Sequence, residues 1–223
     1  MCSKGFTLAE TLITLGIIGV VAAMTLPTLI GKYQKIIFVT RMKQTYTIVA
    51  NAFITSKSNN GDPTEWDFGS EFSNENIKRI VTTYLSPYLN KTSEGFTSDN
   101  VYYIKLKNGI ILTFELDGCS DLNTCTPVYV NTLYIIGSIN NNTSDLYNNK
   151  RDFSRKDFMM RFDKSNKGLV YFHGGNGANA KRREDAINHP EYGCNKNIPK
   201  YKRYTCGQLI YLDGWQIKDD YPW

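Results

Sequence analysis

Hydrophobic and polar positions divide the chain into two regimes. In KGFTLAETLITLGIIGVVAAMTLPTLI, the 25 residues from Phe6 to Ile30 carry one ionisable side chain, Glu10. About 20 apolar residues suffice to cross a hydrocarbon core of roughly 30 Å, so this stretch is long enough to span a membrane. Beyond it the pattern turns amphipathic. Ile36, Val39, Met42, Tyr46, Val49 and Phe53 recur at steps of three or four, with Lys32, Lys35, Arg41 and Lys43 interspersed. The two patterns predict one helix that continues out of the apolar segment, roughly 75 Å long from Phe6 to Thr55 at about 1.5 Å per residue. Its apolar stripe needs a surface to bury against. SKSNNGDP, from Ser56 to Pro63, supplies the Asn, Gly and Pro that stop it.

The remainder reads as an α+β head. NENIKRIVTTYLSPYL sets Ile77, Ile80, Val81, Tyr84 and Leu85 on one helical face, and Pro87 ends or bends that helix. VYYIKLKNGIILTFEL holds two β-rich runs joined by Asn108-Gly109, a dipeptide that tolerates the positive φ of a tight hairpin turn. Its alternation is imperfect and leaves the buried face undecided. DFMMRFDKSNKGLVYF repeats the pattern with a longer turn through Lys164 to Lys167. The expected fold is therefore a long N-terminal α-helix, membrane-spanning in its first half, packed on a small antiparallel β-sheet head. Trp215, Tyr221 and Trp223 are large anchors that pin the chain end to that head.

Composition narrows the functional classes. A chain of 223 residues with 41% hydrophobic and 21% charged residues is globular rather than disordered. The net charge of +5 comes from 26 basic residues scattered among 21 acidic ones, which leaves no basic stripe to indicate nucleic acid. No repeat of 20 to 50 residues occurs, and the Asn-rich stretch 140–149 reads as a polar surface loop. HGGNGANAKR lacks the order of a phosphate-binding loop, and no acid-base or nucleophile set emerges, so no catalytic residue is expected. DGCSD and DKSN are oxygen-rich turns of the kind that hold calcium in the head. No twelve-residue loop with a closing Glu accompanies them, so turn chemistry is the expectation and no cofactor is assigned.

Four cysteines fall in the head: Cys119, Cys125, Cys194 and Cys206. An even number in polar, turn-rich sequence fits two disulfides among three pairings, and nearest-neighbour pairing, Cys119 with Cys125 and Cys194 with Cys206, is expected. The spacings lack the short pairs of common zinc sites, and His173 and His189 form no ligand pattern beside them, so no metal is expected.

Glu10 then needs an explanation, because an ionised carboxylate in a bilayer is disfavoured by on the order of 2.5 to 3.5 kcal/mol at mid-membrane and less near the end. No Lys or Arg follows it until Lys32, so its partner must come from elsewhere. A secretory signal would use Lys4 as its basic start and Ala22-Ala23 near its cut. The apolar run exceeds the usual core of about 7 to 15 residues, however, and Glu10 interrupts it. A cut between Gly5 and Phe6 would instead create an ammonium at Phe6, a cation at the depth of Glu10. These residues resemble the type IV pilins and type II secretion pseudopilins: Gly5 as the last leader residue, Phe6 as the first mature one, Thr7-Leu8 next, and Glu10 four residues beyond Phe6. Gly16 and Gly19 in the span and Pro27, 21 residues after Phe6, extend the likeness. The C-terminal YTCGQLIYLDGWQIKDDYPW is also similar to the ends of some pseudopilin-like heads.

The resemblance implies a non-enzymatic structural subunit that prepilin peptidase cuts after Gly5, with the Phe6 amine then N-methylated. Glu10 would pair with the Phe6 amine of an adjacent subunit during assembly, and Pro27 would let the helix loosen as it packs. The implied parts are a leader at 1–5, a transmembrane half-helix at 6–30, an amphipathic half-helix at 31–57 and an extracytoplasmic head at 58–223. The implied partners are prepilin peptidase, other pilin or pseudopilin subunits, an inner-membrane assembly platform and membrane lipid. Lys32, Lys35, Arg41 and Lys43 argue for the opposite orientation, but a cysteine-stapled head and a cytoplasmic cut site place the head outside. The alternative is a single-pass anchored extracytoplasmic binding protein that never polymerises.

Overall fold

The structure, a computed structural model, describes residues 5, 7–119, 129–139, 150–164, 169–174 and 182–223. The chain divides into two compact units, one ending at Ile37 and one running from Phe38 to Trp223. Helix α1, Leu8–Asn60, contributes to both. The division falls inside the amphipathic half-helix rather than at its end, because residues from Phe38 onward bury side chains in the head.

In the first unit every large apolar side chain from Leu8 to Ile36 that is exposed stays so by half or more, as with Leu12, Ile17 and Leu29. Ile36, expected in the buried stripe, is 63% exposed. In the second unit the buried positions of α1 are Phe38, Met42, Thr45, Val49, Ala52, Phe53 and Ser56. Val39 and Tyr46 are only partly buried against the core. The helix ends at Asn60, and Gly61 follows with φ +78°, the left-handed conformation that glycine adopts without a Cβ penalty.

The head is a six-stranded antiparallel meander in which every strand pairs with its chain neighbours. Its strands are β1 (Lys91–Phe96), β2 (Tyr102–Leu106), β3 (Ile111–Cys119), β4 (Tyr129–Ser138), β5 (Asp157–Asp163) and β6 (Val170–Phe172). Helices α2 (Asn74–Tyr84), α3 (Arg183–Asn188) and α4 (Cys206–Leu212) complete it. Ser73 caps α2 by accepting from the Asn76 N–H, and a 3₁₀ turn, Ser86–Tyr88, follows where Pro87 forbids further helix. The β2–β3 hairpin forms as expected, but only Gly109 takes a positive φ. The Leu106 carbonyl accepts from the Gly109 N–H and the Leu106 N–H donates to the Ile110 carbonyl, which makes a three-residue loop, Lys107 to Gly109, closed by a left-handed glycine rather than a two-residue one. Strands β5 and β6 also pair, while the tip of their turn, 165–168, and the Asn-rich stretch 140–149 lie outside the described residues.

One face of the sheet carries Leu112, Phe114, Leu133, Ile135, Phe158, Met160, Phe162 and Phe172 into the main core with α1 and α2. Phe53 stacks on Phe162 at 4.0 Å between centroids, and Phe38 meets Phe158 edge-on at 6.4 Å. Gly137 lies opposite Phe158, where a Cβ would sit 2.3 Å from the ring, so the close approach requires glycine. Helix α4 buries Leu209 and Ile210 in the same core, and Tyr221 is buried at the chain end as the anchor reading expected. A disulfide joins Cys194 to Cys206, both fully buried, at the start of α4. In the chain-entropy account such a loop contributes about 3 kcal/mol.

The other face is polar and yet largely covered. Thr113, Thr132, Ser138, Asp157, Arg161, Asp163 and His173 are all buried there, which is why the alternation in β3 fails to mark one solvent side. Phe153 and Tyr204, from separate segments, meet edge-on at 4.9 Å and pack with Ile136 and Met159. Arg161 bridges Asp163 at 2.8 Å, donates to Thr132 Oγ1 at 3.2 Å, and lies over the Tyr134 ring. His173 sits among the rings of Tyr134, Tyr192 and Tyr204, and among the described residues neither imidazole nitrogen is hydrogen-bonded.

Burial pushes the His173 imidazole down from its ordinary 6.5 to about 4. Arg161 and His189 act in the same direction and the Asp117 carboxylate opposes them. The unfolded chain therefore takes up a proton near pH 6.5 that the folded chain refuses until about pH 4. The contribution to stability is complete above the unfolded value and is lost as pH falls through this window, by roughly 3 kcal/mol in all. Denaturant unfolding of the full chain in detergent, from pH 7.5 to 4, should show this loss, and His173→Phe should reduce it. Parallel pH profiles for the two proteins would exclude His173 as its source.

Candidate processing and assembly site

The N-terminal segment is read by itself, within the first unit. Gly5 is exposed with open space around its Cα, and Phe6 lies outside the described residues. Helix α1 begins just after, and the first N–H groups of any helix lack intrahelical partners. Thr7 and Glu10 meet that need reciprocally. The Glu10 N–H donates to Thr7 Oγ1 at 3.3 Å, and Glu10 Oε2 accepts from the Thr7 N–H at 2.8 Å and from its hydroxyl at 2.7 Å. This is a capping box, T-x-x-E, in which side chains at the first and fourth positions satisfy each other's backbone donors.

The carboxylate thus has a partner within its own chain, which a search for Lys or Arg alone overlooks. The signal was present in the sequence as Thr7 three residues before Glu10. Both bonds that the carboxylate accepts use Oε2, and among the described residues Oε1 has no hydrogen-bond partner. The negative group also sits at the helix N-terminus, where the backbone dipole favours it.

Further along, hydroxyls are satisfied within the helix. Thr11 donates to the Leu8 carbonyl at 2.8 Å, Thr14 to Thr11 at 3.0 Å and Thr25 to Val21 at 2.9 Å. An apolar surrounding would offer these groups no other acceptor. Pro27 lies inside α1. It has no N–H for the carbonyl of Ala23 one turn earlier, so one rung of the ladder is missing there. Among the described residues α1 is the one helix long and apolar enough to cross a membrane.

The other expected site residues lie apart in the head. Cys119 ends β3, and its expected partner Cys125 lies outside the described residues, as does most of DGCSD. Cys194 and Cys206 are bonded to each other. His189 stacks on Tyr192 and accepts through Nδ1 from the Tyr192 N–H at 3.0 Å. Among the described residues no group of three or more His, Cys, Asp or Glu is placed to hold a metal ion.

Comparison with known proteins divides the chain at Pro27. Residues 28–223 match the model of a family of unknown function, DUF6613. The chain belongs to that family. Residues 1–26 match the prokaryotic N-terminal methylation motif, the prepilin-type signal of type IV pilins and pseudopilins. The motif implies a type IV pilin-like or pseudopilin precursor, and proteins that carry it in the pilin class are structural. The motif implies processing by prepilin peptidase and assembly with other pilin subunits, and the apolar helix suits a membrane anchor. No curated protein and no solved structure matches the chain.

Loss of the cap has a measurable consequence. Thr7→Val keeps the side-chain shape but removes the hydroxyl, and should weaken the first turn of α1 by about 1 kcal/mol. Thr7→Ser should retain the cap. Amide exchange at Leu8 to Thr11 in detergent should be faster in the valine variant and near wild type in the serine variant. Equal exchange in all three would show that the box does not hold the turn.

Proposed function

We propose that the protein is a structural pilin or pseudopilin subunit of a type II secretion or type IV pilus-like filament, without enzymatic activity of its own. The observation that carries this reading is Glu10. It is the single ionisable side chain of the apolar segment 6–30, which bears a prepilin-type signal, and its capping box leaves one carboxylate oxygen without a hydrogen-bond partner among the described residues.

In this reading prepilin peptidase cuts between Gly5 and Phe6, and the Phe6 amine is methylated. Residues 1–5 depart as the leader. Segment 6–30 spans the membrane, 31–57 continues the helix, and 58–223 forms an extracytoplasmic head whose cysteines suit an oxidising compartment. The Phe6 ammonium of a neighbouring subunit meets Glu10 in low dielectric, where an unpaired charge is strongly disfavoured and a paired one much less so. The missing rung at Pro27 lets the helix loosen as subunits of the same kind pack on the membrane assembly platform. A single-pass anchored binding protein that never polymerises shares every feature except the use of Glu10.

Intact-mass and N-terminal peptide measurements on native material should find a chain beginning at Phe6 with a methylated amine. A retained Met1, or a start near Met24, would remove the basis for this reading. In cells expressing the variant beside wild type, Glu10→Ala should insert and fold normally but lower filament yield by about tenfold or more, the effect of losing roughly 1.4 kcal/mol of pairing. Thr7→Val, which breaks the cap and keeps the carboxylate, should be far milder, and Glu10→Gln separates charge from hydrogen bonding. Wild-type yields from both Glu10 variants would show that the carboxylate only snorkels at the membrane edge and takes no part in assembly, and a wild-type chain that enters no filament would favour the non-polymerising anchor.

A further inference from the structure

The polar face of the sheet holds a cavity of about 550 Å³, within the usual range of small-molecule sites, roughly 300 to 1,000 Å³. Thr113, Glu115, Arg151, Phe153, Tyr201 and Tyr204 line it. Arg151 is 7% exposed, and its Nη2 donates to Thr113 Oγ1 at 2.8 Å. Its Nη1 is buried and, among the described residues, donates to nothing. Burial works against this cation, while the carboxylates of Asp157 and Glu115 favour it. Asp157 is already engaged, accepting from the Asp152 N–H at 2.7 Å.

Glu115 lines the same cavity and, among the described residues, makes no hydrogen bond and no ion pair. It feels the field of Arg151, yet no salt bridge joins the two. One cavity therefore carries a donor without an acceptor and an acceptor without a donor, which do not satisfy each other. Only Arg151 Nη1 is buried, and a buried donor left in this state is rare and unfavourable, whereas Glu115 is exposed to solvent at the cavity. A molecule that brings an acceptor to Arg151 removes that defect, and one that also brings a donor to Glu115 matches both charges of the cavity.

We infer that this cavity binds a small zwitterion, a free α-amino acid with an aromatic or large apolar side chain. Its carboxylate accepts from Arg151 Nη1, its ammonium donates to Glu115, and its side chain lies against Phe153, Tyr201 and Tyr204. The charges select this class. A phosphate-like dianion meets the Glu115 carboxylate and that of Asp99, which also lines the cavity, and a simple cation leaves Arg151 unpartnered while facing its charge. The site is independent of the filament reading, since none of its residues belongs to α1.

Calorimetry and ligand-observed NMR on the full chain in detergent test the inference with L-phenylalanine, L-leucine and L-tryptophan. At least one should bind saturably with a Kd of about 1 mM or tighter. For the tightest of the three, the C-terminal amide and the N-acetyl derivative should each bind about tenfold more weakly or worse, because each lacks one charge. Glu115→Gln should cause a similar loss of affinity without moving the thermal unfolding midpoint, and Arg151→Lys should weaken binding of the parent amino acid more than binding of its amide. Absence of saturable binding of all three amino acids up to about 10 mM would overturn the inference and leave the cavity to water. Derivatives that bind as tightly as the parent would overturn it as well, by reducing the site to an apolar pocket.

Discussion

A chain segment in an apolar surrounding must satisfy its own backbone, since hydrocarbon offers neither donor nor acceptor. A helix does so everywhere except at its ends. Helix α1 begins beside its most apolar stretch, so the unsatisfied N–H groups of its first turn fall where water is least able to help. Thr7 and Glu10 close that end from within, each giving a side-chain acceptor to the other's N–H. The hydroxyls of Thr11, Thr14 and Thr25 turn back on the helix in the same way. This self-sufficiency lets the segment from Leu8 to Ile36 expose apolar side chains without exposing a polar backbone.

From Phe38 the same helix obtains its stability differently, by burying one face in the head. The sequence announced the helix and a stop within Ser56 to Pro63, where the helix ends at Asn60, but not which face would be covered. A stripe chosen by apolarity took Ile36 and Val39, whereas the buried row runs through Phe38, Met42, Thr45, Val49, Phe53 and Ser56. Thr45 and Ser56 are the positions that hydropathy passes over. Thr45 can be buried because its hydroxyl donates to the Arg41 carbonyl at 2.8 Å, and Asn60 donates to Ser56 Oγ at 3.1 Å. Polar side chains whose bonds are local behave as core, and the pattern of apolar letters does not record this.

The hairpins, α2 and the chain-end anchors were legible because each rests on local pattern: Gly109 at a turn, Ile77, Ile80 and Val81 on one helical face before Pro87, Tyr221 near the chain end. The second layer on the sheet was not. Thr113, Thr132, Asp157, Arg161 and Asp163 alternate with apolar residues as a solvent-facing row would, and only segments distant in sequence cover them. Phe153 arrives between β4 and β5, Tyr204 arrives just before α4, and Thr205 donates to the Ala186 carbonyl at 2.7 Å while Cys206 is bonded to Cys194. No local rule announces such a cover. At the N-terminus the reverse held. The T-x-x-E spacing was in plain view, and looking for an opposite charge concealed the hydroxyl and N–H three residues away.

The two places where the chain keeps charge in poor solvent differ in what surrounds the charge. At Glu10 the donors it meets are ones that the helix must satisfy in any case, so the carboxylate relieves a defect of the backbone while the backbone relieves the carboxylate. On the sheet face the strands have already used their backbone donors and acceptors in the ladder, so Arg151, Arg161 and His173 depend on other side chains, and each retains a nitrogen without a partner among the described residues. A charge at a helix start is therefore held by the fold's own requirements, and a charge on a covered sheet only by whatever else packs there. A group of the first kind can meet a second partner through its remaining oxygen without giving up the first. One of the second kind is completed only by a molecule from outside or by water.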